Sequence, residues 1–248
     1  MASNRKYLDW PAAVALGKTG GNSVRNVFGY QTAADSTLRS MWYRPNTNYV
    51  FPTSAQTMQV RSSSGSDTMG LVINGLDANY DEISETVTLT GTSTVTTTKE
   101  FFRLNGAVIL SGTNVGTIDI GDDLAGTPTY YKGIRPGDGS CQDSFYTVPR
   151  GYQFLLYRID AFSNDSTAAK PAVFRNFVRN ESGRLLNVAR TTFFNNMNIQ
   201  RQIPFVYQEK TDIQLQCATI SGSHEIAVFA EGIQHEMDGQ EHLNNLEP

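Results

Sequence analysis

Residues 83–98 read ISETVTLTGTSTVTTT, a run in which apolar and hydroxyl side chains alternate. Because successive side chains of a strand point to opposite faces, Ile83, Val87 and Leu89 share one face, and serine and threonine occupy the other. Threonine is β-branched, which favours extended backbone, and its hydroxyl suits a solvated face. This face offers no ionisable group suited to catalysis. The run therefore predicts a half-buried β-strand with a structural role.

The size and charge of the chain limit its fold and partners. Its 248 residues suffice for one large all-β domain or two small ones. The net charge of −4 provides no basic field, so nucleic acid is not a predicted partner. The first ten residues lack the apolar centre of a signal peptide, and no later run approaches the length of a membrane span. We therefore expect no membrane association.

Strand signals recur at intervals of roughly 8 to 12 residues, which is typical of sandwiches and jelly rolls. They cover residues 57–63, 69–74, 83–90, 94–98, 101–110, 117–120, 144–148, 152–162, 172–179, 185–194, 199–207, 211–220 and 224–233. No segment keeps a clean helical period. The sequence predicts an all-β protein with two β-sandwich (jelly-roll-like) units, at residues 46–125 and 140–235, joined by a Gly- and Pro-rich segment at 121–140.

The first 45 residues show little regular period and contain several glycines. Such a segment has too little apolar surface to fold alone, so it is predicted to be an extended arm lying across its own domain or a neighbouring subunit. Its aromatic and apolar residues are the predicted interface anchors: Tyr7, Trp10, Val27, Phe28 and Trp42.

Charge is distributed unevenly in the C-terminal half. Residues 236–248 form a predicted acidic tail, which continues an acidic stretch beginning at Glu231. Residues 175–201 are basic, with Glu181 as their one acidic residue. Two interpretations stay open: solvated surfaces, or docking of one subunit's tail on the next subunit's arginines. The predicted contact arginines are Arg175, Arg179, Arg184, Arg190 and Arg201.

Motifs for catalysis, metals and cofactors are incomplete. Residues 12–19 end in Gly-Lys-Thr, but Ala12 replaces the first glycine of a phosphate loop. Asp77, Asn79 and Asp81 have calcium-loop spacing, yet the turn glycine and the closing glutamate are missing, so a tight turn is the preferred interpretation. No enzyme activity, metal or cofactor is predicted.

The histidines and cysteines likewise lack partners at recognisable spacing. His224, His235 and His242 fit no zinc pattern. Cys217 lies on the apolar side of its strand and is predicted to be buried. A disulfide with Cys141 stays open, although it would be unusual in a protein assembled in a reducing cytoplasm.

Aromatic residues leave one alternative function open. Aromatic side chains that are exposed on a sandwich can stack on sugars, and Tyr130 and Tyr131 are the candidates for a site that binds a host surface glycan.

Several motifs resemble a family of structural proteins of tailed bacteriophages, especially marine and cyanobacterial ones. They are SSSGSDT at residues 62–68, VINGLDANYDEISETVTLTGT at 72–92, FFRLN at 101–105 and GTNVG at 112–116. The second half is also similar, at YTVPRG (146–151) and EKTDI (209–213), so the resemblance covers about residues 25–235.

The resemblance implies a virion component without catalytic residues. It implies a protein that decorates or cements the capsid, or a tail-associated ring, assembled in the host cytoplasm. The expected partners are copies of the same chain and other virion proteins, such as the major capsid protein or tail proteins. The alternative is a carbohydrate-binding host-recognition module of a tail or fibre.

Overall fold

The computed structural model describes residues 10–164 and 172–237. Within them, nearly all regular structure is antiparallel β-sheet, which confirms the all-β class. The elements are α1 (Trp10–Ala15), β1 (Asn22–Ala34), β2 (Arg39–Ser40), β3 (Gln56–Ser62), β4 (Gly70–Leu76), β5 (Glu82–Thr88), β6 (Val95–Phe101), β7 (Arg103–Ile109), β8 (Ile118–Asp122), β9 (Thr129–Ile134), β10 (Phe145–Thr147), β11 (Tyr152–Ser163), β12 (Ala172–Arg179), β13 (Leu185–Phe193), β14 (Asn196–Tyr207), β15 (Asp212–Thr219) and β16 (His224–Glu236).

Strand β1 and strands β10 to β16 together form a jelly roll. One sheet has the order β1-β16-β11-β14, and the facing sheet has the order β10-β15-β12-β13, with the short β2 also paired to β15. Two four-stranded antiparallel sheets with this connectivity are the jelly-roll arrangement. Inward side chains from both sheets, such as Phe154, Phe174, Leu215 and Val228, fill one apolar core.

Strands β3 to β9 form a second sandwich, which is inserted into the jelly roll between β2 and β10. Its sheets have the orders β6-β3-β8-β9 and β5-β4-β7. Both sheets contribute to a separate core that contains Met58, Ile73, Phe101 and Ile120. Strand β5 places Val87 in this core and exposes Thr86 and Thr88. We call this sandwich the insertion.

The domain boundaries differ from those expected. Residues 22–34 of the predicted arm form β1, which pairs with β16 from Asn22↔His235 to Ala34↔His224. The buried row of β1 includes Gly29 and Gln31, so its alternation carries little apolar signal. A Cβ at Gly29 would collide with the backbone oxygen of Met41, which explains the glycine.

Two further predicted boundaries also differ from those in the structure. The predicted joint at 121–140 contains β9, which pairs with β8 and belongs to the insertion. The predicted acidic tail begins at Glu236, which is the last residue of β16, and residues 238–248 lie outside the described part.

A polar seam joins the insertion to the jelly roll. The Arg103 guanidinium of β7 donates to both carboxylate oxygens of Asp212 of β15, at 2.8 and 3.0 Å. Both side chains are nearly buried, with 6% and 3% exposed. Beside them, the amide of Asn105 donates to and accepts from the backbone of Thr147. At the seam's edge, Arg150 pairs with Asp81 in an exposed two-point contact.

Two of the sequence motifs, SSSGSDT at residues 62–68 and GTNVG at 112–116, meet inside the insertion. The buried Asp67 carboxylate accepts hydrogen bonds from the backbone N–H groups of Val115 and Gly116, at 2.8 and 2.9 Å, and from the Ser62 hydroxyl. Burial alone would raise the pKa of Asp67, but these hydrogen bonds outweigh it and lower the pKa. The two motifs therefore fasten two loops together, which is a structural role.

Candidate interaction surfaces

Two arginines lie on the outer face of the β10-β15-β12-β13 sheet. Along β12, Phe174, Asn176 and Val178 are buried, so the alternating Arg175 and Arg179 point away from the core. Arg175 donates to the side-chain oxygen of Gln216 on the neighbouring β15. At about 3.3 Å per strand residue, Arg175 and Arg179 are roughly 13 Å apart along the strand.

Arg190 of β13 adds positive charge at the same place. It is the cross-strand partner of Arg175, so both side chains occupy the same face. Burial and the nearby Arg190 lower the pKa of Arg175. Among the described residues, Arg179 and Arg190 form no ion pair with a carboxylate. We call Arg175, Arg179 and Arg190 the arginine face.

A groove runs beside the arginine face. Its volume is about 370 Å³, and its lining includes Arg175, Arg179, Gln214 and Gln216 on one side and the segment around Val50 on the other. Guanidinium and amide groups that converge in a groove suit a ligand with carboxylates and hydrogen-bonding groups.

The five predicted contact arginines do not form one surface. Arg184 lies in the turn before β13, where it is exposed. Arg201 lies on β14, in the other sheet of the jelly roll. There its guanidinium stacks 3.7 Å from the Phe205 ring centroid and donates to the Ile203 carbonyl. The predicted contact arginines are divided between two sheets, because β13 and β14 belong to different sheets despite being consecutive. Their contact role stays a prediction.

The edge strand β14 carries exposed apolar side chains. It pairs with β11 on one side and ends its sheet on the other. The β11–β14 register is interrupted between Phe205 and Gln200, and Ile203 within this irregularity is 79% exposed. Val206 is 48% exposed, and Phe162 on β11 is 52% exposed. Sequence reasoning missed these residues, although the IPFV string at 203–206 on an edge strand was a usable signal.

The predicted anchors differ in how far they are exposed to solvent. Tyr7 lies outside the described residues. Trp42 and Val27 are buried in this chain's own structure, with 1% and 5% exposed, so neither is available for a contact between subunits. Trp42 packs edge-on against Tyr43 within an aromatic cluster between the two sandwiches. Their assignment as intersubunit anchors is therefore corrected.

Two anchors remain partly exposed. Trp10 in α1 is 38% exposed and makes an edge contact with the ring of His235. Phe28 on β1 is 37% exposed and packs against Tyr30. Their contact role stays a prediction.

The tyrosines proposed for sugar stacking are not open platforms. The Arg44 guanidinium lies 3.1 Å from the centroid of the Tyr130 ring and covers it. Tyr131 is buried in the insertion core, and its hydroxyl accepts a hydrogen bond from Gln56. Neither ring presents a free face of the kind that stacks on a sugar.

The remaining sequence motifs form turns and strand ends. The Asp77 carboxylate accepts the backbone N–H groups of Asn79 and Asp81, which makes the calcium-like spacing a hydrogen-bonded turn. The ring of His235 contacts the Asn22 side chain at 2.6 Å. Cys141 and Cys217 are both free thiols, and Cys217 is buried as expected.

Neither a metal cluster nor a membrane helix is found in the described part. Across residues 10–164 and 172–237, no three His, Cys, Asp or Glu side chains are grouped as metal ligands. None of the helical residues in these ranges forms a stretch long and apolar enough to cross a bilayer.

A polar cleft of about 510 Å³ lies between the insertion and the jelly roll. Its walls include Asn26, Asn74 and Asn105, together with the Arg25–Glu82 ion pair, whose closest atoms are 3.2 Å apart. Its amide groups and its ion pair can form hydrogen bonds with the polar groups of a ligand.

The fold and surfaces define an all-β protein, a jelly roll with an inserted β-sandwich. No protein-family model and no curated protein sequence matches the chain. Among solved structures, it is similar to the VP2 subviral particle of infectious bursal disease virus, at 11% identity over 87% of this chain and 72% of that one, with a TM-score of 0.23. The Gx strain of that virus gives 12% identity over 95% and 78%, with a TM-score of 0.21. Similarity at these TM-scores defines neither the architecture nor the function of this chain, and its jelly roll is defined by its own strand pairing.

Proposed function

We propose that this chain is a non-enzymatic structural protein of a bacteriophage virion, which decorates or cements the capsid or forms a tail-associated ring through contacts between subunits. The motif resemblance supports the virion assignment. Jelly rolls occur in viral capsid domains and also in lectins, so the fold alone does not decide between these functions. The covered rings of Tyr130 and Tyr131 weigh against the glycan-binding alternative.

The observation that carries the proposal is the edge of β14. At the edge of its sheet, β14 exposes Ile203 and Val206, and these side chains can bury apolar surface against another chain. Burial contributes about 25 cal/mol per Å² of apolar area, and the gain is repeated at every copy in an assembly. The partners would be copies of this chain and other virion proteins, in particles assembled in the host cytoplasm.

Sedimentation velocity of the purified chain over a range of concentrations tests self-association. The wild type should form oligomers, and the variant I203K/V206K should stay smaller because two charges would be desolvated at the contact. The matched control is V115K, since Val115 is 65% exposed but lies in the insertion. The control should assemble like the wild type. Equal oligomerisation of wild type and I203K/V206K would contradict the role of β14.

A second measurement addresses the virion. Particles made without this protein should release their genome at a lower temperature, and adding back the wild-type chain should restore the higher temperature. I203K/V206K should restore it less well. If particles are unaffected while the isolated chain binds on a glycan array, the host-recognition alternative is favoured instead.

A further inference from the structure

An ion pair is buried where the insertion joins the jelly roll. Lys132 comes from β9 of the insertion, and Asp143 lies just before β10 of the jelly roll. The Lys132 Nζ is 3.1 Å from the Asp143 Oδ2, and each side chain is only 1% exposed. The same Nζ lies 3.8 Å from the centroid of the Phe145 ring. The amine and the carboxyl are therefore both buried and in contact beside an aromatic ring.

Burial disfavours the charged form of the Asp143 carboxylate. The Lys132 ammonium, the Arg135 guanidinium and the backbone N–H of Tyr43 all stabilise the charge. Burial nevertheless raises the pKa of Asp143, because the opposing effects of these groups do not cancel it. A desolvated pair of this kind is costly when charged.

We propose that Lys132 and Asp143 condense to an isopeptide bond in the folded protein. One proton first passes from Nζ to Oδ2, and the Nζ lone pair then attacks Cγ, which forms the N–C bond. The C–Oδ2 bond breaks next. The leaving oxygen carries the first proton and takes a second one from the nitrogen, so a single water molecule departs. The product is a secondary amide with one N–H and one C=O. No oxidant, nucleotide or metal takes part.

Burial and fixed geometry favour this reaction in both its equilibrium and its rate. The amide replaces two buried charges with one neutral group, which removes the cost of desolvating them. Contact in a fixed geometry makes the step intramolecular, and this can supply much of the barrier reduction that an enzyme would otherwise provide. A cavity of about 230 Å³ is lined by Lys132, Cys141 and Asp143, and it gives the released water a place to go.

The bond would form a covalent clip between the two sandwiches. It closes residues 132–143 into a ring, so β9 of the insertion and the start of β10 cannot separate when the surrounding sheets loosen. The inference concerns the chemistry of the isolated chain and does not depend on the proposed role in a virion.

The decisive measurement is the intact mass of the wild-type chain after complete unfolding. We expect the mass to be lower than that of the sequence by one water molecule. Trypsin then localises the loss. Unmodified chain is cut after Lys132 into peptides 104–132 and 133–150, because Pro136 protects the bond after Arg135. The linked chain should give one peptide, 104–150, and cleavage before Asp138 should open its ring without separating the two parts.

Two variants distinguish the isopeptide bond from other dehydrations. A succinimide at Asp138-Gly139 would also lose water, but it would persist in K132R, whose guanidinium does not condense with the carboxyl. We expect K132R at the full sequence mass. D143N should lose ammonia instead of water and reach the same product mass as the linked wild type. A folded wild-type chain at full sequence mass would overturn the inference, and so would a water loss that K132R retains.

Discussion

Replacing Arg103 with methionine should weaken the junction between the insertion and the jelly roll. In the wild type, the guanidinium bridges both Asp212 oxygens, donates to the Pro52 and Phe102 carbonyls, and stacks 4.0 Å from the Phe102 ring centroid. Methionine fills a similar apolar volume but leaves the Asp212 carboxylate buried with the Thr147 hydroxyl as its remaining side-chain donor. The loss should therefore be electrostatic rather than steric.

The expected magnitude follows from the burial of this pair. Removing one partner from a buried ion pair costs about 3–5 kcal/mol, because the other charge stays desolvated. The Thr147 hydrogen bond offsets part of this cost, so we expect the free energy of unfolding to fall by about 3 kcal/mol. The double variant R103M/D212N leaves no unpaired charge, and it should recover about 1–3 kcal/mol relative to the sum of the single variants.

Urea unfolding measures these free energies, with far-UV circular dichroism reporting on the sheets and fluorescence on the two tryptophans, Trp10 and Trp42. The transitions reported by the two signals should coincide in the wild type and in R103M, because the comparison of free energies requires two-state unfolding. The matched control is R150M, which breaks the exposed contact with Asp81 and should cost at most about 1 kcal/mol. A cost for R103M no larger than that of R150M would refute the argument.

Three further predictions concern other parts of the molecule. Because the pKa of Asp67 is lowered in the folded protein, its contribution to stability is present above the unfolded-state pKa and is lost as the pH falls through the folded-state pKa; D67A should therefore show a smaller loss of stability on acidification than the wild type in urea titrations across that range. G29A should lower the thermal unfolding midpoint, because a Cβ at this position meets the backbone carbonyl of Met41. The control G20A should leave the midpoint unchanged, because a Cβ there has no atom within 4 Å; equal midpoints for the two variants would contradict this packing. If the arginine face binds acidic segments, R179Q/R190Q should weaken binding of a glutamate-rich peptide in a titration, and a higher salt concentration should weaken binding by the wild type. The control R201Q should bind the peptide as the wild type does, and unchanged binding by R179Q/R190Q would exclude the arginine face as the binding site.

Much of the local structure was predictable from the sequence. Period-two alternation located thirteen strands close to their observed positions, including the threonine-rich run that became β5. It also placed Cys217 on the inner side of β15. Alternation predicts strands because the two faces of a strand differ in solvation, and consecutive residues therefore alternate between polar and apolar side chains. Strand β1 was missed because glycine and glutamine occupy much of its buried row.

The candidate surfaces were only partly predictable. Composition marked residues 175–201 as basic, yet it could not separate Arg201 from the arginine face, since that separation depends on which sheet each strand joins. The exposed Ile203 follows from the position of β14 at a sheet edge, which strand pairing determines.

By itself, the sequence determined the all-β class, the position of most strands and the lack of a complete catalytic or metal-binding motif. Tertiary structure alone decided that β1 belongs to the jelly roll, that β3 to β9 are an insertion, and that Arg103 meets Asp212 across 109 positions of the chain. The physical reason is the distance along the sequence over which each interaction acts. Solvation patterns act between neighbouring residues, whereas strand partners and buried charge pairs are chosen by the packing of the whole chain.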